Sequence, residues 1–201
     1  HHWENCYAYK EINITFCNEC DNSESKINVK NIDELEETLF FLEKSEFSMI
    51  LNEFMVEFVE INIIFEKNSK NIFSSKKFGI TFSTNLLEKS PFIQKYSLNF
   101  LSKDEFYQSE LILACPLIFY GFSEISFQNI EFKILQYKLD VYLDNIFDIS
   151  APAPGTFVQK AKTAYLKNCS FKSYDSFSPC IIANYFVNSS ECYMDLTVDS
   201  L

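Results

Sequence analysis

Apolar and polar residues alternate along most of this chain, which is the spacing of strands that bury one face. The alternation predicts two short strands, EINITF and KINVK, near the start. From Phe47 onward it predicts ten further strands: FSMIL, EFVEINIIF, FGITFST, YSLNFLS, ELILACPLIFY, EISFQNIEFKI, YKLDVYLDNIF, TAYLKNCSF, CIIANYF and YMDLTV. Short polar links separate them. The pattern therefore predicts a mainly β protein.

One segment has helical spacing instead. Its apolar residues recur at intervals of three and four positions: Leu35, Leu39 and Leu42. Asn31 and Glu34 are suited to form a capping box at its start. The sequence therefore predicts a helix over about 31–44.

A weak repeat runs through the predicted strands, in which Asn is followed by Ile or Cys, any residue and Phe. Copies begin at Asn13, Asn62, Asn129 and Asn168, with a degenerate copy at Asn145. In a solenoid, stacked coils align such an Asn at each corner into a hydrogen-bonded ladder and direct Ile and Phe inward. The repeat favours a parallel β-solenoid, and ordinary alternation in a β-sandwich is the alternative.

These patterns divide the chain into two parts. Residues 1–25 hold three cysteines among polar residues and are predicted to form an N-terminal cap or rim. Residues 26–201 are predicted to form one solenoid domain, with the helix followed by coils from about residue 47. An apolar share of 47% with 17% aromatics, in 201 residues, argues against intrinsic disorder.

The order of elements carries a resemblance. A strand (KINVK), a helix (NIDELEETLFFLEK), a strand (FSMILN) and coils bearing EISFQNIEF, DVYLDNIFDI and AYLKNCSFKS resemble the start of a right-handed parallel β-helix of the pectin-lyase-like superfamily. In style the chain is similar to the secreted β-helix proteins of ciliated protists. The resemblance covers about residues 26–201. It implies that the helix closes the N-terminal end of the solenoid core.

Carbohydrate-active members of that superfamily cut polysaccharides with clustered Asp residues, or with a Lys or Arg base assisted by calcium. In this chain all 17 basic residues are Lys, and both histidines lie at the first two positions. No Asp pair on one strand face matches the hydrolase pattern, and the nearest acidic residues are Asp140, Asp144 and Asp148. We therefore predict a protein without catalytic residues, cofactor or metal site.

Net charge and hydropathy limit the kinds of partner that this chain is expected to have. A formal charge of −11 repels the negatively charged phosphate backbone, so no nucleic acid partner is expected. The longest apolar stretch, residues 111–122, is shorter than the ~18 residues of a membrane span and contains Pro116, so no span is expected. The chain begins with His1-His2-Trp3, which fits a processed N-terminus after removal of a signal peptide, a tag remnant or a fragment, and we favour the first.

Seven cysteines and three sequons indicate the secretory route. The predicted N-glycosylation sites are Asn13, Asn168 and Asn188. Cys115 lies in an apolar run and is expected to be a buried thiol. The disulfide candidates are the other six: Cys6, Cys17, Cys20, Cys169, Cys180 and Cys192. With three candidates near each end, one at each end stays reduced, pairs across the fold or pairs with another chain.

These features predict a secreted or cell-surface structural glycoprotein. A solenoid has open ends, and the C-terminal YMDLTVDSL shows an alternating strand without a cap. We therefore expect head-to-tail assembly into a fibre, filament or coat, sealed by an interchain disulfide. The expected partners are other copies of the chain and covalent N-glycans. The alternatives are a polysaccharide lyase or hydrolase of the β-helix type, and a module that binds polysaccharide on Phe119, Tyr120 and Phe122.

Overall fold

A computed structural model describes residues 9–17, 27–67, 69–74, 79–104, 106–115, 117–134, 157–159, 163–173, 184–186 and 191–200. Within them the helices are α1 (Ile32–Leu42), α2 (Ser45–Glu53) and α3 (Leu86–Lys89). The strands are β1 (Tyr9–Phe16), β2 (Ile27–Val29), β3 (Phe58–Phe65), β4 (Lys70–Phe73), β5 (Ile80–Ser83), β6 (Lys95–Ser102), β7 (Ser109–Leu113), β8 (Leu117–Tyr120), β9 (Glu124–Gln128), β10 (Ile130–Ile134), β11 (Phe157–Gln159), β12 (Thr163–Ser173), β13 (Asn184–Phe186) and β14 (Glu191–Ser200). The predicted mainly β class is confirmed.

All pairings between the described strands are parallel, whereas the sheets of a β-sandwich are antiparallel. Three columns of neighbouring strands result. The first runs β2-β1-β3-β6-β9-β12, the second β4-β7-β10-β12 and the third β5-β8-β11-β13. The long strand β14 pairs with β12. Because the chain visits the three columns in turn, the arrangement is consistent with a parallel β-helix-like fold.

The core is a stack of aromatic rings that come from all three columns. The Phe100 ring lies 4.7 Å from the Phe127 ring in a stacked geometry, and 5.5 Å from the Phe82 ring edge to face. The register of β3, β6 and β9 explains the alignment, because Ile63, Phe100 and Phe127 are direct neighbours on adjacent strands. Each buried ring adds a large apolar area and a favourable ring–ring geometry.

Helix α1 begins where the sequence predicts. Asn31 Oδ1 accepts a hydrogen bond from the Glu34 N–H at 2.9 Å, and Glu34 Oε2 accepts one from the Lys30 N–H at 2.7 Å. The first contact satisfies a backbone N–H that the first turn leaves without a helical partner, and the second ties the residue before the cap to the helix. Ile32 and Leu35 are buried in the core cluster, so one face of α1 covers core residues.

The strand predicted at FSMIL is wrong, because Ser45–Glu53 form helix α2. Leu51 is buried in the core, whereas Met49 and Ile50 are 67% and 50% exposed. A short apolar run of this kind fits a strand and a helix equally well by periodicity alone. The structure therefore has two consecutive helices before β3 instead of one.

The turn between β8 and β9 depends on Gly121. Its φ is +86°, and a Cβ at this position would lie 2.0 Å from the Thr84 backbone oxygen. The Thr84 N–H donates to the Tyr120 oxygen at 3.0 Å, which holds the two segments together. Glycine alone has both the required backbone conformation and the required space here.

Candidate functional site

A row of amide and hydroxyl side chains crosses β1, β3, β6 and β9, on the face opposite the core. Asn62 Nδ2 donates to Asn13 Oδ1 at 3.0 Å, and Asn99 Nδ2 donates to Asn62 Oδ1 at 3.0 Å. Ser126 Oγ donates to Asn99 Oδ1 at 2.6 Å. Successive members lie 49, 37 and 27 positions apart in the sequence, yet each is aligned with the next. We call these four residues the amide ladder.

Carboxylates lie beside the amide ladder on the same strands. Glu11 Oε1 accepts from Asn62 Nδ2 at 3.0 Å, and Glu60 Oε1 accepts from Asn99 Nδ2 at 3.1 Å. The Tyr9 hydroxyl donates to Glu60 as well. Partial burial, together with the Glu60 carboxylate, raises the pKa of the Tyr9 phenol, so this hydroxyl stays protonated as a donor.

One further coil carries the same arrangement with an ion pair. Glu124 Oε2 lies 3.1 Å from Lys95 Nζ and accepts from Ser97 Oγ at 3.2 Å. Amide and hydroxyl donors thus connect each coil to the carboxylate of a neighbouring coil. The polar atoms of this outer face are therefore used in hydrogen bonds and ion pairs between neighbouring coils.

The Asn residues of the predicted repeat lie at two different kinds of position in the structure. Asn13 and Asn62 lie in the middle of their strands, within the amide ladder. Asn129 and Asn168 lie elsewhere, with positive φ values of 58° and 49°, and Asn168 Nδ2 donates to Asn129 Oδ1 at 2.8 Å. The predicted corner ladder therefore holds for the second pair only. Asn145 lies outside the described residues.

Two members of the amide ladder were missed by the repeat. Asn99 is followed by Phe100, so its strand lacks the Ile or Cys that defines the pattern, and Ser126 is no amide. The signal that finds them is an outward polar residue directly before an inward Ile or Phe. Asn62-Ile63, Asn99-Phe100 and Ser126-Phe127 share this position in the register.

The structure places two of the three predicted glycosylation sites. Asn13 and Asn168 are both exposed, although each also takes part in an amide–amide hydrogen bond. Asn188 lies outside the described residues. Their occupancy stays a prediction.

Two of the cysteines are buried in the core. Cys115 is buried, as predicted, and its Sγ lies 3.8 Å from the Phe73 oxygen. Cys169, a disulfide candidate, is a buried thiol whose Sγ donates to the Phe127 oxygen at 3.4 Å. The disulfide predicted for it is therefore not seen, because its inward position on β12 directs the sulfur into the core.

No disulfide links two of the cysteines whose side chains the structure describes. Cys17 follows β1 and is 9% exposed. The candidates Cys6, Cys20 and Cys180 lie outside those residues, and the side chain of Cys192 is likewise not described. Which cysteines pair stays a prediction.

Two of the three aromatic residues considered for sugar stacking are buried, and the third, Tyr120, is half-buried. Phe119 and Phe122 are 1% and 4% exposed and belong to the core. The connection between β6 and β7 instead exposes Phe106 and Tyr107, at 89% and 58%. The acidic group Asp140, Asp144 and Asp148 lies outside the described residues.

A buried polar contact joins the end of α1 to β6. The Tyr96 hydroxyl, which is fully buried, donates to Glu43 Oε1 at 2.8 Å. Burial raises the pKa of the Glu43 carboxyl, and hydrogen bonds from Thr84 and Tyr96 together with the Lys89 charge offset part of this effect.

We expect Glu43→Gln to flatten the pH dependence of stability. Because the folded-state pKa is raised, the stabilisation is complete below the ordinary Glu pKa of about 4.3 and is lost as the pH rises through the folded value. The melting temperature of the parent chain, followed by circular dichroism, should therefore fall relative to that of Glu43→Gln as the pH is raised above about 4. Glu88→Gln, at an exposed position in α3, is the control. Parallel curves for all three proteins would contradict the assignment.

Among the described residues, no group of three or more His, Cys, Asp or Glu side chains has a geometry that could hold a metal ion. None of the helices in the described part of the chain has the length and hydropathy of a membrane span.

Comparison with known proteins adds no relative. No protein-family model, no curated protein and no solved structure matches this chain.

Proposed function

We propose that this chain is a non-catalytic structural glycoprotein of the extracellular space or cell surface, folded as a right-handed parallel β-helix. In this proposal it is the subunit of a fibre, filament or coat, and its copies assemble head to tail. The stiffness of the stacked coils is the property that such an assembly uses.

The observation that carries the proposal is the internal bonding of the amide ladder. Asn62 and Asn99 are 8% and 5% exposed although they lie on the outer face, and Ser126 is 3% exposed. Their polar atoms bond to the next coil rather than facing solvent, where a ligand would meet them. A buried, paired polar row aligns coils and opposes slippage between them, which supports a structural role.

The edge of β2 supports head-to-tail assembly. Ile27 is aligned with Ile14, which is fully buried, yet Ile27 itself is 39% exposed because no described strand covers it. Within the described part of the chain, β13 and β14 likewise pair on one side only. All described strands are parallel, so one end of a copy is complementary to the opposite end of another copy, which gives a heterologous contact.

Exposed sequons and cysteine usage support an extracellular location. Asn13 and Asn168 lie at the surface, where an attached glycan has room. Cysteine-rich chains with sequons are typical of oxidising compartments.

Electron microscopy of the purified, secreted chain tests the proposal. We expect rods or filaments whose diffraction shows the strand spacing of about 4.8 Å along their axis. Ile27→Lys should shorten or abolish them, because it puts a charge on the exposed end of an apolar column. Phe92→Lys, at a site that is 45% exposed and outside the strands, should leave them intact.

Two results would overturn it. Single particles at every concentration, under reducing and non-reducing conditions, would exclude assembly. Selective binding of the same preparation to a glycan array would favour the carbohydrate-binding alternative.

A further inference from the structure

The two helices that precede β3 expose large apolar side chains next to one another in the sequence. We name them the cap surface: Phe40, Phe41, Met49, Ile50, Phe54 and Met55, which are 45% to 67% exposed. The opposite sides of the same helices contribute Leu35 and Leu51 to the core. Both helices are therefore packed on the core, and their exposed side chains belong to folded segments. Apolar side chains that are concentrated on a folded surface mark interaction sites.

Acidic residues lie close to the cap surface along the helices: Glu37 is about one turn before Phe41, and Glu53 is about one turn after Met49. Residues 31–57 contain eight Asp or Glu and a single Lys, so most of the formal charge of −11 is concentrated there. Glu37 on α1 and Glu53 on α2 are exposed. Apolar side chains within an acidic rim are complementary to a segment that is both apolar and cationic.

The single lysine of this region shows how a cation sits on the surface. Lys44 Nζ lies 4.3 Å from the centroid of the Phe41 ring and 5.3 Å from that of the Phe40 ring. The faces of both rings thus attract an ammonium group through their quadrupoles. Lys44 already occupies these two ring faces, so the cations of a partner meet the acidic rim.

We propose that the cap surface binds a cationic amphipathic segment of another protein, with its apolar residues on the Phe and Met side chains and its Lys or Arg residues on the acidic rim. A second copy of this chain is a poor occupant, because the chain as a whole has a formal charge of −11 and would bring like charges together. Methionine side chains adapt to different apolar shapes, which suits a surface of this kind. The inference goes beyond the proposed assembly and does not depend on it.

Fluorescence anisotropy with the full-length chain tests this. The probe is a labelled peptide of Leu and Lys at helical spacing, and a peptide with Glu in place of Lys is its counterpart. We expect the cationic peptide to bind with a dissociation constant on the order of 10 µM, and the acidic peptide to bind at least about tenfold more weakly. Binding of the cationic peptide should weaken as salt is raised.

Matched variants locate the site. Phe41→Ser combined with Met49→Ser should weaken binding at least about tenfold, and Glu37→Lys combined with Glu53→Lys should weaken it several-fold. Phe92→Ser combined with Phe106→Ser removes exposed apolar groups elsewhere and should leave binding unchanged.

Three outcomes would overturn the inference. Equal effects of the two Ser pairs would show non-specific binding. Self-association that Phe41→Ser abolishes, measured by sedimentation, would assign the surface to a second copy. Binding to phosphatidylcholine vesicles without peptide binding would assign it to a lipid surface.

Discussion

Phe100→Ala is expected to destabilise the fold by about 4 kcal/mol, within the range for truncating a buried aromatic side chain. The Phe100 ring is fully buried, and four rings surround it: Phe73 at 6.0 Å, Phe82 at 5.5 Å, Phe119 at 6.1 Å and Phe127 at 4.7 Å. Because these neighbours come from all three columns, their backbones hold them apart and the cavity does not collapse. Urea unfolding followed by circular dichroism measures the loss.

Phe92→Ala is the matched control for this truncation. Phe92 is 45% exposed, so removing its ring should cost less than about 1 kcal/mol. If Phe100→Ala proved no more destabilising than Phe92→Ala, the aromatic stack would not be the main source of stability.

Asn99→Ala is expected to cost about 3 kcal/mol, because it breaks the amide ladder in its middle. Asn99 donates to Glu60 and to Asn62 and accepts from Ser126. The substitution removes the hydrogen-bond partner of the Asn62 side-chain carbonyl and of the Ser126 hydroxyl. Both groups are buried, and an unpaired buried polar group costs about 1 to 3 kcal/mol. The free energy of unfolding in urea is again the measurement.

Asn13→Ala provides the comparison at the end of the same ladder. Asn13 is exposed, so water replaces its bond to Asn62, and the expected cost is below about 1 kcal/mol. Equal costs at Asn13 and Asn99 would show that burial of the ladder does not matter. A negligible cost at both positions would remove the argument that the ladder aligns the coils.

The fold class followed from alternation, but the extent of α-helix did not. The helix at Ile32–Leu42 has leucines at helical spacing and a clear N-terminal signal at Asn31. The α2 segment lacks such an N-terminal signal, since Lys44 precedes it and makes no side-chain cap, and its short apolar run fits a strand as well as a helix. Its helical state depends on burying Leu51 while exposing Met49 and Ile50, which is a tertiary contact.

The candidate polar face was only partly predictable. A repeat of Asn, Ile or Cys, any residue and Phe identified Asn13 and Asn62, but the spacing of 37 positions to Asn99 and 27 to Ser126 hides the register. Loops of unequal length between coils shift the repeat in sequence without shifting it in space. The alignment therefore appears only when the strands are paired.

The sequence by itself determined that the chain is mainly β, that Phe and Ile residues fill its interior and that a capped helix precedes the coils. These features are local, since they depend on alternation and on contacts within one turn. Only the tertiary structure decided which Asn residues meet, that Cys169 points inward and that the α1 and α2 side chains form an exposed apolar surface. Each of these depends on the register between segments that are distant in sequence, and a one-residue slip would move every such side chain to the other face.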